Sequence, residues 1–236
     1  GMEIFMIYPI YYDPTYILVI IGFMLSIFAS FGVKSTFSKY SGVYNSRGMT
    51  GRDAAREILD KNGLYSVGIE HVAGDLTDHY DPRANVIRLS DATYNSSSVA
   101  AVGVAAHEAG HAVQHAVGYT PIKLRNAFVP VVNIGSSLSM PLFILGLIMG
   151  REGLAFAGIV LFSAVLIFQL ITLPVEFNAS HRALVVLDSS GMLALDEVKQ
   201  AGKVLKAAAM TYVAGVAATA LQLLRLLLIF NSRRRD

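Results

Sequence analysis

The sequence predicts a mostly α, multi-pass helical membrane protein with a small α+β insertion, and three observations carry that prediction. Only 15% of the 236 residues are charged and 54% are hydrophobic, against about 25% charged in ordinary soluble domains. Long apolar runs without a single charge recur along the chain. Between the first run and the second lies one polar stretch with mixed helix and strand patterning. The net charge of +2 is too small to argue for nucleic acid as a partner. Most Lys and Arg lie outside the apolar runs, where they read as membrane-flanking charges. The chain has no cysteine, which excludes disulfides and thiolate metal ligands. Any transition metal must therefore be held by His, Asp or Glu.

A bilayer core of about 30 Å takes roughly 20 apolar residues in a helix. Residues 1–15 form an N-terminal segment, in which Gly1 ahead of Met2 reads as a cloning residue and is set aside. Residues 16–33, 128–149 and 153–173 each read as a transmembrane helix, with Asn133 and Gln169 the most polar positions in the second and third. Residues 207–230 are a possible fourth: the first half is rich in Ala, Thr and Gly, and Arg225 interrupts the rest. Arg225 could snorkel toward an interface, and this segment is expected to be irregular or to cross incompletely. A basic tail, 231–236, follows. The first span reads as an anchor rather than a cleaved signal peptide, because residues 2–15 contain no Lys or Arg.

The polar stretch, 34–125, holds the insertion. Gly51 to Asn62 has helical spacing, with Ala55, Ile58 and Leu59 on one face and Gly63 as a stop. Val67 to Val72 and Asn85 to Leu89 read as short strands, with a turn at Asp81-Pro82. Ser96, Ser97 or Ser98 offers an N-cap for a helix through about Val117, ended by Gly118 and Pro121. Residues 174–206 read as mainly helical with a break at Ser189-Ser190-Gly191.

The chemistry lies on the helix VAAVGVAAHEAGHAVQHAV, which carries His107-Glu108-Ala109-Gly110-His111, an H-E-x-x-H. Helix residues four apart are rotated by about 40° and raised by about 6 Å. Both imidazoles therefore leave one face and can share a zinc ion at about 2.0–2.1 Å each. Glu108, beside the first His, is placed to be the general base of a metal-assisted hydrolysis and then to carry the proton to the leaving amine. The motif sits on an otherwise apolar helix, which argues against a merely solvated polar face.

A catalytic zinc takes three protein ligands and keeps one open position. The candidates for the third are His115, Glu176, His181 and His79. His115 would stand about 12 Å from His107 along a continuous helix, too far for one ion to reach both. With no Gly between His111 and His115 to break the helix, His115 reads as a polar helix residue or a partner of a ligand. Glu176 is the better third ligand. The motif helix leads into the second span, the third span returns to Glu176, and two crossings bring the chain back to its starting side. His181, five residues on, points about 140° away from Glu176. His71 and His79 lie in the strand region, His79 at a turn and sheet edge. A strand such as Asn85 to Leu89 could pair with an extended peptide.

Three blocks together, LTDHYDPRANVIRLS, SVAAVGVAAHEAGHAVQHA and LPVEFNASHRA, resemble the YugP-type bacterial membrane zinc metallopeptidases over nearly the whole chain. A more distant similarity is to the HtpX-type and CAAX-prenyl proteases, which carry H-E-x-x-H on one helix and E-x-x-x-D on a later one. The resemblance matches His107, Glu108, His111 and Glu176, and places Ser180 where the distant relatives have Asp. That Asp would orient a zinc-bound His, so the orienting group here is left open.

The insertion is thus expected to be zincin-like, with His107, His111 and Glu176 as metal ligands, Glu108 as the catalytic base and Zn2+ as cofactor. The expected reaction is hydrolysis of peptide bonds in membrane-associated proteins or peptides, in a bacterial cell membrane. The alternative is an inactive metal-binding scaffold or regulator, which would have no need of Glu108. A metal transporter would need ionisable residues within the second and third spans, which have none. Lys34, Lys39, Arg47, Arg52, Lys123, Arg125, Arg182, Lys199, Lys203 and Lys206 flank the metal side, whereas the hairpin near 150 has only Arg151. The positive-inside rule therefore puts the site at the cytoplasmic face. The tail Arg233-Arg234-Arg235 disagrees if the fourth segment crosses.

Overall fold

The computed structural model describes residues 13–234. Most of the N-terminal segment and the last two residues of the basic tail lie outside them. Among the described residues, six helices and three strands follow in the order α1 (Tyr16–Ser41), α2 (Gly51–Lys61), β1 (Gly68–His71), β2 (His79–Asp81), β3 (Val86–Leu89), α3 (Val99–Ala116), α4 (Thr120–Ile148), α5 (Glu152–Ser189) and α6 (Leu195–Arg233). The protein is mostly α with a small mixed sheet. Helices α1, α4, α5 and α6 are each long and apolar enough to cross a membrane. The expected irregular fourth segment is instead part of one unbroken 39-residue helix. The Ala-rich first half lowers the hydropathy without weakening the helix, because Ala is the strongest helix former.

Two compact units divide the chain. The first comprises residues up to 28, 128–170 and from 213 onward. Its core is built from Phe143, Ala155, Ile159, Leu226 and Phe230. Small residues let its backbones touch: a methyl at Gly146 would lie 2.2 Å from the Ala155 nitrogen, and one at Gly158 2.6 Å from the Phe143 nitrogen. Close approach at small residues is how helices associate in lipid. Phe23, Phe28, Ile134 and Phe156 are exposed, a surface that suits lipid tails rather than water. Arg225 is not stranded. Its Nη2 lies 3.3 Å from Asp13 Oδ2 and its guanidinium 4.6 Å from the Tyr16 ring centre. Arg233 donates from Nη1 to the Leu147 carbonyl at 2.8 Å, capping the end of α4.

The second unit, 29–127 and 171–212, carries the motif helix. α2 starts with a reciprocal capping box between Thr50 and Asp53 and stops before Gly63, whose φ of +70° favours glycine. Its apolar face, Ala54, Ala55, Ile58 and Leu59, packs into one core with Val99, Val102 and Ala106 of α3 and with Ile87 and Leu89 of β3. The sheet order is β1-β3-β2, with β1 parallel and β2 antiparallel to β3. β3 is therefore central and paired on both sides, which corrects the expectation that it could receive a peptide; the free edges belong to β1 and β2. Ser98 is the N-cap of α3, accepting from the Ala101 nitrogen at 3.0 Å. Gly118, φ +64°, follows the helix. Pro121 does not end it but opens α4, a position where its missing N–H costs nothing.

A correction concerns α5. The sequence suggested that a span ended at Pro174 and a new helix began there. The helix instead runs unbroken from Glu152 to Ser189 with Pro174 inside it, and its break comes at Gly191, φ +64°. Glu176 therefore projects from a helix interior, not from a first turn.

Candidate metal centre

α3 is gripped on two sides through glycine. A methyl at Gly103 would approach Ala201 of α6 to 3.2 Å, and one at Gly110 would lie 2.8 Å from the carbonyl oxygen of Ala179 on α5. Gly110 is the second variable residue of the H-E-x-x-H, so the motif itself sets how closely Glu176 approaches the two histidines.

At that closeness three donor atoms converge. His107 Nε2 and His111 Nε2 lie 3.0 Å apart, and Glu176 Oε2 lies 3.2 Å from the first and 3.5 Å from the second. Bonds of about 2.0–2.1 Å at tetrahedral angles put zinc ligand atoms about 3.3 Å from one another. The donor set is the imidazole and carboxylate chemistry zinc accepts, and its spacing fits one ion. Among the described residues these three form the group able to hold a metal.

Each histidine is held from behind. His107 Nδ1 meets the Ser180 hydroxyl at 3.0 Å. His111 Nδ1 meets Gln114 Oε1 at 3.0 Å. The Gln114 amide donates from Nε2 to the Val175 carbonyl at 2.8 Å and to Asn178 Oδ1 at 2.9 Å, and Arg182 Nε also donates to Asn178 Oδ1 at 2.7 Å. That chain fixes which end of Gln114 faces the ring. His111 must then donate from Nδ1, which leaves the Nε2 lone pair turned toward Glu176 and His107.

The buried Glu176 carboxylate is held by His107 and His111. Burial opposes charge on His111, but hydrogen bonding to Glu176 and the charge of Glu108 lift it. Arg125 of α4 stands 3.5 Å from the other Glu176 oxygen. Glu108 is 9% exposed and lines two cavities that flank the cluster. One, about 230 Å3, is walled by Val33, Leu76, Val104, Leu205, Ala208 and Ala209. The other, about 210 Å3, presents His79, His115, Arg125 and Asn126. Tyr212 of α6 borders both.

The other candidate ligands stand apart. His115 and His181 are exposed, and the His115 ring lies 6.1 Å from that of Tyr80. His79 Nδ1 faces the Thr77 carbonyl at 2.9 Å, and His71 pairs with Asp91. The sequence reading missed Gln114, Asn178, Arg125 and Tyr212. Gln114 had a signal, three residues after His111 on the same helix face; Tyr212 had none.

A family profile described as "Putative neutral zinc metallopeptidase" matches residues 15–231. The chain belongs to this family. A curated relative, "Putative membrane protease YugP" of Bacillus subtilis (strain 168), is 50% identical over 212 residues, 90% of this chain and 94% of the relative. No solved structure matches.

Proposed function

We propose that this family member is a membrane-embedded, zinc-dependent endopeptidase of the gluzincin type, with His107, His111 and Glu176 as ligands and Glu108 as general base. The observation that carries the reading is the convergence of three donor atoms at 3.0–3.5 Å with the far nitrogen of each imidazole already engaged. Zinc held there would polarise the scissile carbonyl and activate water near neutral pH. Glu108, on the turn between the two histidines and open to both cavities, takes the proton from that water and passes it to the leaving amine. Ser180 and Gln114 hold the imidazoles in register, and Arg125 balances the Glu176 carboxylate. The β2 edge beside the polar cavity offers backbone groups to an extended peptide.

Substrates are membrane-associated proteins or peptides, and the site faces the cytoplasm. Two features support this: α5 carries Glu176 on the same helix as an apolar span while α3 leads through a short turn into α4, and most Lys and Arg flanking the spans lie around the metal site. Glu108→Gln tests the mechanism. Zinc content should be unchanged and hydrolysis should fall by about 10²–10⁴. Cleavage at the wild-type rate in Glu108→Gln would remove Glu108 from the reaction.

A further inference from the structure

The two cavities beside the cluster differ in chemistry. In the larger, the walls are Val33 of α1, Val104 of α3, Leu205, Ala208 and Ala209 of α6, and Leu76. His107, Glu108 and Glu176 of the cluster and Tyr212 also border it, and three further polar residues line it with their polar atoms already partnered. The Asp78 carboxylate accepts from the Ser90 nitrogen and hydroxyl at 2.8 and 2.9 Å. The Ser180 hydroxyl faces His107, and Thr211 Oγ1 donates to the Ala208 carbonyl at 2.6 Å. A carboxylate entering there would lose water and face the carboxylates of Asp78 and Glu108. The adjacent alanines 208 and 209 leave the room. The opposite cavity offers Arg125, His79, His115 and Asn126, groups that favour a polar chain.

Resting on the zinc-peptidase reading above, we propose that the apolar cavity is the specificity pocket. It takes one uncharged apolar side chain beside the scissile bond while the opposite cavity takes polar residues. The enzyme then cuts where an apolar stretch of substrate gives way to a polar one, as at the end of a transmembrane segment. Ala209, 6% exposed, is the residue that sets the size of the pocket.

Hydroxamates of graded side chain, titrated calorimetrically into the zinc-loaded full-length protein in detergent, test this without turnover. 4-Methylpentanohydroxamate should bind about 10- to 100-fold more tightly than acetohydroxamate, the gain expected from burying an aliphatic side chain. Succinic monohydroxamate, with a carboxylate in the same place, should show no such gain. In Ala209→Phe the affinity ratio of the first two should collapse toward one; if that variant loses its zinc, Ala209→Val should lower the ratio partway. A wild-type ratio below about threefold, or a ratio that neither variant changes, overturns the proposal. A protein that binds no zinc or no acetohydroxamate overturns the earlier reading instead. With active enzyme, a peptide joining an apolar block to a polar block should be cut at the junction, and cuts confined to the polar block would refute the assignment.

Discussion

The Ser180 hydroxyl lies 3.0 Å from Nδ1 of His107, on the α5 helix one turn beyond Glu176. A hydroxyl thus stands where the distant relatives were expected to carry Asp, and the orienting group left open by the sequence has a concrete candidate. Partners of this kind typically contribute 10- to 100-fold in metal affinity. Ser180→Ala should weaken zinc binding by about that factor, measured by competition with a chromogenic chelator. Ser180→Asp should bind zinc at least as tightly as the parent protein. If Ser180→Ala holds zinc unchanged, the contact has no role in orienting His107.

Purified protein should hold about one zinc per chain. His107→Ala, His111→Ala and Glu176→Ala should each deplete it, whereas His115→Ala, at an exposed position beside Tyr80, should not. Elemental analysis after dialysis reads the outcome, and full occupancy in Glu176→Ala would remove that ligand from the set.

Gly110→Ala places a methyl 2.8 Å from the Ala179 carbonyl oxygen. Backbone cannot yield as a flexible side chain would, so α3 and α5 must part. Overpacking of this kind costs about 1–3 kcal/mol, more than the roughly 1 kcal/mol that Ala gains over Gly in a helix. The variant should melt earlier in detergent and hold zinc more weakly. A raised melting temperature with unchanged zinc affinity would show that the contact gives way freely.

Sidedness is open to a direct test because the chain has no native cysteine. Tyr44→Cys, at a residue 69% exposed, should be shielded from an impermeant thiol reagent in intact cells and react once the membrane is opened. Gly153→Cys, in the first turn of α5 beside the hairpin turn, should react in intact cells. The reverse pattern would put the protease face outside. With α6 long and apolar enough to cross, Arg233 caps α4 through the Leu147 carbonyl and Arg234 lies 3.5 Å from Glu152 beside the hairpin; these two arginines count against the expected orientation, and the labelling decides it.

What could be read from the sequence was whatever depends on neighbours along the chain. The helical spacing of Ala55, Ile58 and Leu59, the cap at Ser98 and the four-residue step from His107 to His111 are local, and the structure contains each of those elements. β2 was read as a turn and edge because three residues, His79–Asp81, are too few to show alternation. The continuation of α5 through Pro174 was missed because Pro usually ends helices in water; within membrane proteins the lost bond is tolerated. The pairing of β3 on both sides, and the approach of Tyr212 and Arg125 to the cluster, depend on tertiary packing that no spacing encodes.

The unbroken run of α5 through Pro174 has a consequence for biosynthesis. His107 and His111 leave the ribosome well before Glu176, and the whole apolar hairpin is made in between. Under the proposed assignment, a nascent chain therefore owns two ligands and the general base but lacks the third ligand until its hairpin has been synthesised. On that assignment, competence for zinc would be deferred until the hairpin has been made. Ribosome-arrested chains ending before residue 176 should not retain zinc through dialysis, while chains arrested well past Tyr212 should.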